Sequence, residues 1–215
     1  MIIWVAEVCE KVLGKKLVYI ATDDERIHAK VKEFGFQTIS TSKNCLTGTD
    51  RVAEASKKIN SEIYINVQGD EPLIKPEDVK MVIDHKLKYP NHVICGYTEI
   101  YKNENPLNKN IPKVVLNDNE ELMYISRSLV PGFKDENLST KRKYFKQVCI
   151  YAFNKQELNK FIFLGKKSTI EKFEDIEILR FFELNIKIKM VKTSAGSLAV
   201  DEQNDIKKVE QFLKK

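Results

Sequence analysis

Between Leu17 and Lys88, short runs rich in β-branched and aromatic residues alternate with stretches of helical spacing. That alternation constrains the fold more than any other feature, because it is the pattern of a sheet covered by helices. Residues 2 to 13 carry apolar side chains at helical spacing (Ile3, Val5, Ala6, Val12, Leu13), and Gly14 ends them. Leu17 to Thr22 reads as a strand, and Asp23 or Asp24 caps a helix to about Lys32 whose buried side is Ile27, Ala29, Val31 and Phe34. Gln37 to Ser40 is a second strand, Thr49 to Ile59 a helix, and Glu62 to Val67 a buried strand; Pro76 opens the next helix. Further on, His92 to Ile100, Lys113 to Leu116, Leu122 to Ser126 and Phe145 to Phe153 read as strands with few helices between them. Residues 168 to 184 form one helix, Ile186 to Thr193 a strand, and a last helix starts near Asn204. The expected class is α/β, with a mixed, mainly parallel sheet, an antiparallel extension and a single domain.

Composition removes several function classes. At 215 residues with 42% hydrophobic and 31% charged, the chain has the mix of one globular domain, and fibrous or wholly disordered readings fail. No apolar run approaches the roughly 18 residues of a membrane span, and the first residues lack a signal-peptide pattern, so a cytoplasmic protein without membrane insertion is expected. The four cysteines form no Cys-x-x-Cys pair, which argues against a zinc site or a disulfide framework and fits reduced thiols. A net charge of +5 is too mild to indicate nucleic acid but suits an anionic small substrate. The basic run Lys141 to Lys146 reads as a solvated loop. Eight isolated glycines leave no room for a Walker or dinucleotide-binding loop. The three histidines, His28, His85 and His92, read as structural or solvated.

Two segments carry chemistry. Asn66-Val67-Gln68-Gly69-Asp70-Glu71-Pro72 ends a strand, where ligands of open α/β sheets collect, and Asp70 is placed there as a natural Mg²⁺ ligand or as part of an ordinary turn. Thr47-Gly48-Thr49-Asp50-Arg51 lies between a strand and a helix, where the dipole and Arg51 favour an anion. Its plainer reading is a helix start capped by Thr49 or Asp50.

Taken in order, these segments resemble those of the sugar-activating cytidylyltransferases, in particular the 3-deoxy-manno-octulosonate (Kdo) cytidylyltransferase family. The resemblance covers nearly the whole chain and includes Ala21-Thr22-Asp23-Asp24, Pro112-Lys113-Val114-Val115, Tyr124-Ile125-Ser126-Arg127, Ile150-Tyr151-Ala152-Phe153, Ile176-Glu177-Ile178-Leu179-Arg180 and Val200-Asp201. It implies a Rossmann-like nucleotide-diphospho-sugar transferase fold and a homodimer. It also implies condensation of CTP with Kdo or a modified Kdo to CMP-sugar and pyrophosphate, for lipopolysaccharide or surface-glycan synthesis. By the same resemblance, Asp70 and Asp201 hold catalytic Mg²⁺ and converge on one site, with Arg127 also catalytic. Gly48, Thr49, Asp50, Arg51 and Gln68 contact nucleotide, and Lys113, Gln147, Tyr151 and Glu177 contact the sugar acid. An Asp70 and Asp201 pair would repel itself without a cation between.

The sequence departs from the family pattern in places. Gln147 stands where a His-x-Gly arrangement is usual, and Ile178 replaces a polar residue, which points to an amino-substituted Kdo. The family's opening strand and basic Pro-Ala-Arg…Pro-Gly-Lys loop have no counterpart, so the domain 1–215 is expected to be N-terminally incomplete and inactive by itself. A non-catalytic remnant acting as a binding or dimerisation module is the alternative. A GT-A-type glycosyltransferase is disfavoured by the lack of an Asp-x-Asp motif.

Overall fold

The structure is a computed structural model, which describes residues 1–101, 104–132, 134, 143–194, 198–200 and 202–213. The first helix, α1 (Ile2–Leu13), ends where Gly14 adopts φ 77°, a conformation that glycine enters without a Cβ penalty. Strand β1 (Tyr19–Thr22) leads to α2 (Glu25–Glu33), which is capped by Asp24 accepting from the Arg26 N–H at 2.8 Å. That helix buries His28 and Val31, while Phe34 stays 44% exposed, so its inward face is rotated from the expected one. Strand β2 (Gln37–Ser40) pairs in parallel with β1. Helix α3 (Gly48–Ala55) is capped by Thr47 rather than by Thr49 or Asp50, its hydroxyl accepting from the Asp50 N–H. Strand β3 (Tyr64–Val67) and α4 (Pro76–Lys88) follow.

The second half supplies β4 (Val93–Glu99), β5 (Lys113–Leu116), β6 (Leu122–Ser126), β7 (Phe145–Phe153) and β8 (Ile188–Lys192). The main sheet runs β6-β5-β7-β4-β8, with β3 beside β7. It is mixed, as expected: β3, β4, β5 and β8 share one sense, against β6 and β7. Because the long β7 lies between β3 and β4, most hydrogen-bonded neighbours are nonetheless antiparallel. Its first residues also pair with β5, forming the antiparallel extension.

Helix α5 (Lys155–Phe163) was not legible as a separate element; an Asn154 and Glu157 capping box starts it. The single helix expected over 168 to 184 is two, α6 (Thr169–Glu174) and α7 (Ile178–Glu183), broken at Asp175 with φ 51°. The break leaves Phe173 84% exposed and turns Leu179 and Phe181 into the core. That core joins β4, β7 and β8 to α5 and α7, where the Phe181 ring stacks on Phe153 and packs at a tilt against Phe161. Helix α8 (Gln203–Leu213) closes the described chain. Among the described residues no helix is long and apolar enough to cross a membrane.

Candidate active site

A cavity of about 1060 Å³ opens beyond the carboxyl end of β3. Gln68 and Asp70 follow β3 into it. Gln147, Cys149 and Tyr151 reach it from one face of β7, since alternate residues of a strand point the same way. Arg127, just past β6, and Glu177, at the start of α7, complete its walls. Six expected site residues (Gln68, Asp70, Arg127, Gln147, Tyr151, Glu177) thus meet around one space.

Glu177 is the centre of this arrangement. Its Oε1 accepts from Gln68 Nε2 at 2.5 Å and its Oε2 from the Thr49 N–H at 2.8 Å, so one carboxyl joins α7, the end of β3 and the first turn of α3. Burial pushes the Glu177 carboxyl up, partly offset by the Thr49 N–H. Gly48 lies so close to this knot that a Cβ there would come within 2.9 Å of Gln68 Nε2, so any side chain at 48 would have to push that amide aside.

The α3 residues are committed to protein partners. Asp50 accepts from Arg180 Nη1 at 2.8 Å and Nη2 at 3.2 Å and from the Thr47 hydroxyl at 2.7 Å. The Arg180 side chain, fully buried, also forks onto Glu171 at 2.6 and 2.7 Å and lies over the Phe161 ring. Arg51 is paired with Asp23 at 2.7 Å and donates to Thr41. Gly48 and Arg51 border a second cavity between β1 and β3, while Thr49 and Asp50 border neither.

Arg127 is held differently. Its guanidinium donates to the main-chain oxygens of Glu174, Lys109 and Asp175 at 2.5, 2.8 and 2.9 Å, and among the described residues no carboxylate forms an ion pair with it. Main-chain acceptors fix the plane of the guanidinium at the cavity wall, and the neighbouring Glu174 and Asp175 carboxyls are held below their usual range partly by its charge. The Glu174 carboxylate steadies the same turn by accepting from the Arg127 N–H and the Ser126 hydroxyl. Lys113 does not line the cavity; it is buried and donates to the carbonyls of Asn108 and Arg127. Burial, then Arg127, push its ammonium down.

Gln147 donates to the Tyr151 hydroxyl at 3.0 Å, and burial drives that phenol well above its ordinary range. Ile178 is 1% exposed within the core and does not reach the cavity, so of the two departures expected to alter sugar choice only Gln147 is placed to do so. Lys146, at the end of the basic run that composition reads as a solvated loop, is instead buried and meets Glu104 in an ion pair of 2.5 Å at the cavity wall. Arg180, the last residue of the Ile176 to Arg180 segment, was given no role there, and Glu174 lay in no quoted segment; both act through other residues.

Asp201 lies outside the described residues, as do Lys141 and Arg142. Its neighbour Val200 donates its N–H to the Asp70 carbonyl at 2.9 Å, and Leu198, Ala199 and Glu202 line the same cavity. Among the described residues no group of three or more metal-binding side chains forms. Asp70, Glu71 and Glu202 all line the cavity, and a hard oxygen donor such as Asp70 suits a divalent ion that takes one or two protein carboxylates and completes its shell with substrate oxygens.

A strand-end crevice in a mixed α/β sheet, acidic at one wall and cationic at another, places the chain among the nucleotidyltransferases of this architecture. The fold is shared with 4-diphosphocytidyl-2C-methyl-D-erythritol synthase from Anaerococcus prevotii (TM-score 0.64, 16% identity, 99% of this chain and 88% of that one). The chain belongs to the cytidylyltransferase family, whose model matches residues 1–188. It is 34% identical to a 3-deoxy-manno-octulosonate cytidylyltransferase of Porphyromonas gingivalis over 91% of this chain and 80% of that protein. A 3-deoxy-manno-octulosonate cytidylyltransferase of Geotalea daltonii is 37% identical, over 98% and 87%. A solved CMP:2-keto-3-deoxy-manno-octonic acid synthetase complexed with CTP superimposes with a TM-score of 0.88 at 33% identity, covering 99% of this chain and 87% of that one.

Proposed function

We propose that this protein condenses CTP with Kdo, or a modified Kdo, to give CMP-sugar and pyrophosphate for a surface glycan. The observation that supports the assignment is the Arg127 guanidinium, fixed on main-chain oxygens in the wall of the same cavity that Gln68 and Glu177 line. A 2-keto sugar acid brings a carboxylate that suits this cation, and its hydroxyls suit Gln147, Tyr151 and Glu177. The nucleotide belongs at the α3 end, near Gly48, Arg51 and Gln68. In the reaction the anomeric hydroxyl oxygen bonds to the α-phosphorus, the bond from that phosphorus to the β-phosphate bridging oxygen breaks, and the hydroxyl proton leaves to solvent. Orientation is the main contribution of such a site. Mg²⁺, held by Asp70 and Asp201, would neutralise charge on the phosphate oxygens. A cytoplasmic homodimer accords with this role and with the four free cysteines.

The test is calorimetric titration with Kdo, beside the neutral sugar mannose. Saturable Kdo binding weakened about tenfold or more in Arg127→Ala, a loss of roughly 1.4 kcal/mol, is the expected result. Equal binding of mannose, or Kdo affinity unchanged in Arg127→Ala, would refute the assignment.

A further inference from the structure

Asp78, in the first turn of α4, is 2% exposed and lies outside the cavity. A carboxylate withdrawn from water in this way needs donors on both of its oxygens. Its Oδ2 accepts from the Lys75 N–H at 3.1 Å and so caps its own helix. Its Oδ1 serves no purpose within the helix. That oxygen accepts from both the N–H and the hydroxyl of Ser194, each at 2.6 Å, just past the end of β8. Thr193, the residue before, donates its N–H and its hydroxyl to the Tyr97 carbonyl at 2.8 and 3.1 Å, so the exit from β8 is fixed on two sides.

The chain that leaves β8 at Ser194 returns to the same stretch of protein. Val200 donates its N–H to the Asp70 carbonyl at 2.9 Å, and Asp70 and Asp78 both belong to the connection from β3 into α4. That connection is itself anchored, because buried Glu71 accepts from the Cys149 N–H of β7 at 2.9 Å and Ile74 is buried in the core. Further along, Glu202 accepts from Asn110 Nδ2 at 3.0 Å. The return from β8 is thus tied at Ser194, Val200 and Glu202. Leu198, Ala199 and Glu202 line the cavity, and Asp201 stands between Val200 and Glu202 in sequence.

We propose that Asp78 is a positioning residue of this site: by holding Ser194 it sets where the chain from β8 returns, and so fixes the wall of Leu198, Ala199 and Glu202 beside Asp70. Its carboxylate touches no reacting atom. The inference rests on the sugar-activating reading in its consequence, that a divalent ion taking Asp70 and Asp201 is held more weakly once Ser194 is released. Partners that orient the ligands of a metal are worth about 10–100-fold in its affinity.

The experiment compares amide hydrogen exchange, read by NMR, in the wild type, Asp78→Ala, Ser194→Ala and Ser194→Thr. The Val200 amide should be protected in the wild type. Relative to the β4 amides, which report global unfolding, its exchange should quicken by about tenfold or more in Asp78→Ala and about threefold or more in Ser194→Ala. Ser194→Thr keeps the hydroxyl and should match the wild type. Ser194→Ala leaves the helix cap intact, so it decides the matter should Asp78→Ala fail to fold. Mn²⁺, titrated with CTP present and followed by water proton relaxation, should bind more weakly in both alanine variants, by about tenfold in Asp78→Ala. An unprotected Val200 in the wild type, or Val200 and β4 quickening together, would overturn the proposal. So would Mn²⁺ affinity equal to that of the wild type in both alanine variants. A wild type that takes up no Mn²⁺ while Val200 behaves as expected would support the tie and count against the sugar-activating reading.

Discussion

Replacing Arg180 with Met removes the one cation that neutralises two carboxylates in the interior. The Arg180 and Glu171 side chains are both 0% exposed and Asp50 is 12% exposed, so neither acid gains much water when the guanidinium goes. Losing one partner of such a buried set costs about 3–5 kcal/mol, a large part of the roughly 5–15 kcal/mol that stabilises a typical domain. Met keeps contact with the Phe161 ring beneath Arg180, so the loss is mainly electrostatic. For a domain of this size the melting temperature should fall by about 6–20 °C. Urea unfolding followed by circular dichroism at pH 7 measures the change directly. Adding Glu171→Met to Arg180→Met should restore about half of it, since the more deeply buried acid is then gone. A single-mutant loss below about 1 kcal/mol, or a double mutant less stable than the single, would show that the triad is not what fixes α3 against α6 and α7.

Two other substitutions probe the same knot. Gly48→Ala should cost about 1–3 kcal/mol, because a Cβ placed 2.9 Å from Gln68 Nε2 displaces that amide from Glu177; unchanged thermal stability would contradict the close approach. Glu177→Gln should destabilise by about 1–3 kcal/mol at low pH, because the amide NH2 cannot accept from Gln68 or the Thr49 N–H, whereas a protonated carboxyl keeps an acceptor lone pair on each oxygen. Glu177 is raised above 4.5 in the fold, so the native state holds its proton where the unfolded chain has lost it. Its stabilisation is complete below pH 4.5 and declines as pH rises through the raised value. The gap between wild type and Glu177→Gln should therefore narrow on raising the pH from 4.5; a gap that widens would reverse the sign of the shift.

Much of the fold was legible because strand composition and caps are local signals. The runs at Gln37, Lys113, Leu122 and Phe145 became β2, β5, β6 and β7 with those starting residues. The break at Asp175 was not legible, since apolar spacing continues across it and only the left-handed residue interrupts the helix. Nor was β7's position between β3 and β4, which depends on pairing of distant segments. Asp70, Arg127, Tyr151 and Glu177 were expected from ordered motifs and Gln147 from its departure from the family pattern, and the structure gathers all five around one cavity. Asp50 and Lys113 bear charges that suit a ligand, but their commitment to Arg180 and to two carbonyls is a tertiary fact that no spacing encodes.

Pyrophosphate release tests the sugar-activating assignment most directly. The chain is given CTP and Mg²⁺, with and without Kdo. Release that requires both CTP and Kdo, and that Asp70→Asn abolishes without lowering the melting temperature, is the predicted result. Release that is indifferent to Kdo, or its absence when Kdo and CTP are each shown to be bound, would contradict it.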